Sequence, residues 1–211
     1  MKKTILSILV LSSLLTIKAQ AQDVVLGNPI LDGPGCPQGT VSVSLTDDKK
    51  TISVLFSAFS TSYSLASGPG PKMIATNCRI QLPVSLPDGY IMDVMKLEYN
   101  GFHAVPEGAL FMISTNGLRV GKFATTQPQQ SQVKGPISDN YRIEHKLIRL
   151  ITSECRSPNF ILDFTINVWI QSIGTRFGQA PLKGDAMLTL DSIDSAGAGA
   201  QLGVALKPCK K

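Results

Sequence analysis

Two histidines, four cysteines and a scatter of carboxylates carry most of the chemistry this sequence has to offer. A serine or cysteine nucleophile needs a base within hydrogen-bond reach, and only His103 and His145 could supply one. His103 follows Gly101-Phe102 at the end of a strand-like run, and His145 lies in the charged run Arg142 to Lys146, so both are expected at the surface or rim. No Gly-x-Ser-x-Gly turn and no His-Glu-x-x-His helix accompanies them. Glycoside hydrolysis would need two facing carboxylates. Asp163, Asp191, Asp194 and Glu154 are the candidates, and nothing in their spacing requires any two to meet. Asp191 and Asp194 could alternatively face Ca²⁺, which takes about six or more oxygen ligands, although a solvated strand end explains them as well.

Zinc is a weaker reading. No two cysteines lie within a few residues of each other, and neither histidine is near one. No glycine-rich phosphate loop follows a strand and opens a helix. The sequence therefore assigns no catalytic residue, no metal ligand and no cofactor.

The strongest binding pattern lies between Phe160 and Gln171. Phe160, Leu162, Phe164, Ile166, Val168 and Ile170 alternate with Ile161, Asp163, Thr165, Asn167, Trp169 and Gln171. Successive strand side chains point to opposite faces, so Asp163, Thr165, Asn167, Trp169 and Gln171 are expected to project together. Polar groups beside an indole ring suit a sugar, with hydrogen-bond partners for hydroxyls and an apolar plate for the C–H face. The competing reading packs Trp169 under a loop or a second sheet.

The elements that must position these residues are strands. Cys78, Ile80, Leu82, Val84 and Leu86 form a second alternating run, in which Pro83 suggests an edge or a bulge. Val41–Thr46 and Thr51–Phe59 flank Asp47-Asp48-Lys49-Lys50, a hairpin turn. Tyr90–Phe102 follows the turn Pro87-Asp88-Gly89. Ala109–Ser114 and Leu118–Ala124 flank Thr115-Asn116-Gly117, read as a hairpin because Asn-Gly favours one. Tyr141–Ile151 reads as a strand or a short helix, Ala186–Ile193 as a strand, and Gly203–Lys207 as a possible addition. Ser60–Lys72, Thr125–Pro136 and Ser195–Gly203 read as loops. About nine strands with little amphipathic helix predict an all-β, antiparallel sandwich. An outer-membrane barrel would need aromatic girdles and long, evenly alternating segments; the few aromatics, the expected disulfides and the lysine terminus of this chain argue against it.

Residues 1–21 read as a signal peptide. Lys2 and Lys3 precede an apolar stretch from Ile5 to Ile17, and Ala19-Gln20-Ala21 offers a small-x-small site, placing cleavage between Ala21 and Gln22. Lys2, Lys3 and Lys18 belong to this leader, so 20 basic residues become 17 against 15 acidic ones. That balance is too even to suggest nucleic acid or an anionic membrane. The longest apolar run after the leader, Phe160–Ile170, is too short to span a bilayer as a helix. The remaining residues, 22–211, suit one β-sandwich domain of about 190 residues, secreted or periplasmic, with a flexible Gly/Ala-rich tail over 195–211. Exported chains with an even cysteine count form disulfides. Cys36, Cys78, Cys155 and Cys209 allow three pairings, of which the sequence-local one, Cys36–Cys78 with Cys155–Cys209, is preferred.

Three segments together resemble a known family. They are Gly33-Pro34-Gly35-Cys36-Pro37-Gln38-Gly39-Thr40-Val41-Ser42-Val43; Asn77-Cys78-Arg79-Ile80-Gln81-Leu82 with Pro87-Asp88-Gly89-Tyr90 and Tyr99-Asn100-Gly101-Phe102; and Leu162-Asp163-Phe164-Thr165-Ile166-Asn167-Val168 leading to Leu188-Thr189-Leu190-Asp191-Ser192. Their order resembles the secreted domain-of-unknown-function family 4360, found in bacteria and fungi, over roughly residues 33–192. The resemblance implies an exported β-rich domain with Cys36 and Cys78 as partners, and it carries over no catalytic residue. The functional expectation is an exported, non-enzymatic protein that binds a polysaccharide or surface component, or forms part of an envelope or secreted layer. Its rivals are a carboxylate-dependent hydrolase of wall or matrix polymers, and an inhibitor or effector that binds a foreign protein through an apolar patch near Ser60–Lys72 or Thr125–Pro136.

Overall fold

The computed structural model describes residues 23–68, 70–124, 128–174, 180–190 and 199–209. The expected leader, its expected cleavage site at Ala21 and Gln22, and the carboxylates Asp191 and Asp194 lie outside them. In chain order the strands are β1 (Val25–Leu26), β2 (Ile30–Asp32), β3 (Val41–Leu45), β4 (Thr51–Phe56), β5 (Ser60–Tyr63), β6 (Met73–Ser85) and β7 (Tyr90–Val105). There follow β8 (Ala109–Val120), β9 (Phe123–Ala124), β10 (Gln129–Lys134), β11 (Ile137–Thr152), β12 (Asn159–Ser172), β13 (Ala186–Thr189) and β14 (Ala200–Pro208).

They form two seven-stranded antiparallel sheets packed face to face. Sheet A runs β1-β6-β12-β8-β10, with β2 added to β6 and β9 to β8. Sheet B runs β3-β4-β14-β7-β13-β5, with β11 added to β7. The expected sandwich is therefore the observed one. Among the described residues no helix is long and apolar enough to cross a membrane.

The core fills from alternate residues of the long strands. On β12, Leu162, Phe164, Ile166, Val168 and Ile170 are all essentially inaccessible. Ile80 and Leu82 of β6 and Phe111 and Ile113 of β8 lie beside them, and Leu97 and Tyr99 of β7 are as deeply buried in the facing sheet. Strand β12 is central, paired to β6 along Asn159–Gln171 and to β8 along Leu162–Ser172. Its polar parity therefore faces solvent on the outside of sheet A.

Both preferred disulfides are present, Cys36–Cys78 and Cys155–Cys209, with Cα–Cα separations of 5.5 and 5.7 Å. The first fixes the segment before β3 across β6. Gly33 adopts φ +123° there, and a Cβ on it would lie 2.6 Å from the Asn77 carbonyl oxygen, so the approach requires glycine.

Several expectations need correction. Asn116-Gly117 is no hairpin; β8 runs through it with a bulge. Asp163 of β12 pairs Arg119 while Thr165 pairs Asn116, and Gly117 takes φ +64°. A bulge needs the same positive-φ glycine as a tight turn, so the dipeptide signal cannot separate them. The true turn is Gly121-Lys122, joining Val120 to Phe123. The supposed loop Thr125–Pro136 contains β10, and Ser60–Lys72 contains β5 and a 3₁₀ turn at Leu65–Ser67. Tyr141–Ile151 is strand throughout, within β11.

The Gly/Ala-rich tail is not a flexible appendage over Ala200–Pro208. It forms β14, hydrogen-bonded between β4 and β7, with Leu202 and Val204 fully buried. Its small residues answer to close neighbours: a Cβ on Gly203 would meet the Lys96 side chain at 2.7 Å. Pro83 sits inside β6, where its missing N–H faces the gap between β1 and β2. N–H and C=O of one strand residue point the same way, and the Pro83 carbonyl accepts from Gly27 on that side.

Candidate functional site

The outer face of sheet A gathers the five residues singled out on β12. Thr165, Asn167, Trp169 and Gln171 are partly exposed, whereas Asp163 is buried. Strand pairing places their neighbours in rungs across the sheet. Met73, Gln171, Leu110 and Lys134 form one rung, and Ala75, Trp169, Met112 and Gln132 the next. Asn77, Asn167, Ser114 and Gln130 make the third, then Arg79, Thr165 and Asn116. Trp169 thus stands between the small Ala75 and the flexible Met112, with amides on the following rung. The Asn167 side-chain nitrogen is buried and has no hydrogen-bond partner among the described residues.

Asp163 is committed elsewhere. Arg79 grips it with two bonds, Nε to Oδ1 at 3.0 Å and Nη2 to Oδ2 at 2.7 Å, and Gln81 adds Nε2 to Oδ2 at 3.4 Å. The Arg79 guanidinium holds this carboxyl below the usual carboxylate range, against the opposing effect of burial. A carboxylate so held cannot donate a proton at neutral pH. Glu154 is ion-paired to Lys122 at 3.3 Å.

The structure brings together one carboxylate pair that the sequence pattern did not single out. Glu98 and Glu144 are cross-strand partners on the outer face of sheet B. Lys96 Nζ bridges them, 3.4 Å from Glu98 and 2.7 Å from Glu144, and Arg142 Nε lies 2.8 Å from Glu98. Lys96 holds the Glu144 carboxyl below its usual range. Cations thus hold both carboxylates in one ion-pair network. A third buried carboxylate, Asp93, meets Lys207 at 2.6 Å and accepts from Thr152.

The histidines contradict their surface assignment. His103 and His145 are only 2% and 5% exposed. They lie on β7 and β11 in register with the core parity Leu97, Tyr99, Gly101, His103, Val105 and Tyr141, Ile143, His145. That period-two continuation was the signal available. His145 Nε2 lies 3.0 Å from Ser131 Oγ of β10, so the fold does bring a serine to a histidine. The other histidine nitrogen, Nδ1, is buried without a partner among the described residues, and a serine hydrolase needs an acceptor there to orient the ring. The pair is an inter-sheet hydrogen bond. Among the described residues no group of three or more His, Cys, Asp or Glu could hold a metal ion. Near the two loops named for a protein-binding patch, Leu65 and Phe123 are each about half exposed.

Comparison with solved structures returns TmCBM61 in complex with β-1,4-galactotriose, 13% identical over 85% of this chain and 88% of that one, with a TM-score of 0.25. It also returns the enzymatically active domain of bacteriophage CBA120 tailspike protein 4, 11% identical over 88% of this chain and 20% of that one, with a TM-score of 0.27. At such TM-scores neither neighbour says what this chain binds. By sequence, the chain is 30% identical over 114 residues to an "Uncharacterized secreted protein" of Arthroderma benhamiae. The match covers 52% of this chain and 43% of the fungal protein's length. The family model described as "Domain of unknown function (DUF4360)" matches residues 22–209, most of the chain, and the chain belongs to that family.

Proposed function

We propose that this is an exported, non-enzymatic protein that binds polysaccharide through the outer face of sheet A, as part of a surface or secreted layer. The observation that carries the reading is Trp169, held on the central strand of an outward face, near its end, between Ala75 and Met112 with an amide rung beside it. Strands lie about 4.8 Å apart and alternate residues about 7 Å apart along them. The two rungs from β6 to β10 therefore offer a strip about 14 Å wide, apolar on one side and amide-rich on the other. That supports contact with a short run of sugar rings rather than one enclosed small molecule.

Export is supported by two formed disulfides, which persist in oxidising compartments, and by the name of the fungal relative. The near balance of charge favours a carbohydrate over nucleic acid as partner. The non-enzymatic reading is supported by the ion pairs that hold Asp163, Glu98, Glu144 and Glu154.

Co-sedimentation of the purified mature protein with a panel of insoluble wall and matrix polysaccharides tests the reading. At least one polymer should retain the protein, and Trp169→Ala should release it while leaving the fold intact by circular dichroism. Retention unchanged in Trp169→Ala would remove this face from the account.

A further inference from the structure

His145 lies where an edge of sheet A meets an edge of sheet B, and His103 lies between the sheets further along the same pair of strands, β7 and β11. Strand β10 closes one side of sheet A, and β11 closes the same side of sheet B. The side-chain link between them is Ser131 Oγ to His145 Nε2, at 3.0 Å. The His145 ring lies edge-on to Tyr99, with centroids 5.3 Å apart. His103 sits deeper, stacked on Tyr141 at 5.2 Å and tilted against Phe111 of β8 at 4.7 Å. Neither of its ring nitrogens has a partner among the described residues. A neutral imidazole tolerates such a slot poorly, and an imidazolium worse, because a second N–H is then stranded out of water.

The groups facing the two rings offer little compensation. Asp139 of β11 is the cross-strand partner of His103 and favours its charged form, but this carboxylate stands in water. Tyr141 from β11 and Leu188 from β13 also flank His103. Tyr99 and Leu97 from β7 and Ser131 from β10 flank His145. Burial lowers the pKa of both imidazoles, outweighing Asp139 at His103 and unopposed at His145.

Strand β10 is an edge strand with little to hold it. It has six residues, pairs with β8 alone, and buries only one parity, Gln129, Ser131 and Val133, in part. Its other parity, Gln130, Gln132 and Lys134, is exposed and completes the Asn167, Trp169 and Gln171 rungs of the outer face. Short, shallowly packed edge segments open locally at far lower cost than a core strand.

We propose that His103 and His145 make the β10–β11 seam acid-labile, so that protonation frees β10 and withdraws Gln130 and Gln132 from the outer face. The seam is a property of the fold; its consequence for ligand rests on the polysaccharide reading above. A histidine whose folded pKa lies below its unfolded one favours the open form as pH falls between the two. Each unit of separation shifts the opening equilibrium about tenfold per ring.

Hydrogen exchange on the mature protein with both disulfides intact tests this, at about pH 8 and about pH 5, either side of the imidazole range. After correction for intrinsic exchange rates, amides of Gln129–Lys134 should lose protection about tenfold or more at the lower pH, while β12 keeps its own. His145→Gln keeps a donor toward Ser131 without a charge, and His103→Phe fills the slot between Phe111 and Tyr141. Each should cut the loss, and His145→Gln decides the matter if His103→Phe does not fold. Equal protection of β10 at the two pH values, or an undiminished loss in the folded variants, would overturn the proposal. Polysaccharide retention measured alongside should weaken in acid for the wild type and less so for His145→Gln. If no polymer binds at either pH, the platform reading falls, and the exchange data still decide the seam.

Discussion

Replacing the two disulfides separately, each as a double cysteine-to-alanine variant, separates chain entropy from packing. Cys36–Cys78 closes a separation of 42 residues and Cys155–Cys209 one of 54. In the chain-entropy model both loops give about 4 kcal/mol, because the dependence on length is logarithmic. Burial is where they differ. Cys36 and Cys78 are 2% and 0% exposed, whereas Cys155 is exposed. Deleting two buried sulfurs adds about 1 kcal/mol each for lost transfer and packing. The Cys36/Cys78 variant should thus lose about 5–6 kcal/mol and the Cys155/Cys209 variant about 4 kcal/mol. With a urea m-value of about 2 kcal/mol/M, the midpoints should differ by about 0.5–1 M. Urea unfolding followed by far-UV circular dichroism measures this, and m should rise in both variants as the unfolded chain expands. Equal midpoints, or a larger loss at the exposed disulfide, would refute the assignment of Cys36–Cys78 to the core.

Asp163→Asn should cost about 1 kcal/mol at neutral pH, since Arg79 keeps nearly half its side-chain surface in water. The lowered pKa of Asp163 means its contribution is present above the unfolded value of about 3.9 and fades as pH falls through the folded one, so variant and wild type should converge in acid melts. Gly101→Ala should destabilise by about 1–3 kcal/mol, because a Cβ there would strike the Thr189 carbonyl and the Tyr141 ring; thermal unfolding checks it. Both buried histidines have lowered pKa values, so wild-type stability should be complete above about pH 6.5 and decline as pH drops below it. A urea series across pH should show that decline before the carboxylates titrate, and His103→Phe should flatten it.

The sequence made the central strands legible because their alternation runs long. Phe160–Ile170 places the core residues Leu162, Phe164, Ile166, Val168 and Ile170 of β12 correctly, and the other alternating runs recover the main layers. Strands β1, β2, β5 and β10 escape and β9 merges into Leu118–Ala124, because β1, β2 and β9 have only two or three residues and β5 and β10 are mostly polar in composition. Strand β14 is legible only over Gly203–Lys207, and its start at Ala200 is hidden by glycine and alanine, which serve flexibility in one context and close packing in another. The alternating set on β12 was readable as a face, but its neighbours Ala75, Met112 and Gln132 come from strands distant in sequence and needed the register. Asp163 shows the limit most plainly: its parity was evident, while its capture by Arg79, 84 residues away, was not.

Trp169 is the only tryptophan in the chain, so tryptophan emission, excited apart from the tyrosines, reports from the proposed binding face alone. Titrating the mature protein with solubilised wall and matrix polysaccharides at neutral pH should give, for at least one polymer, a saturable shift of the emission maximum that Asn167→Ala weakens. A polymer that binds the protein without altering the emission, or a complete panel that neither shifts it nor binds, would contradict the account.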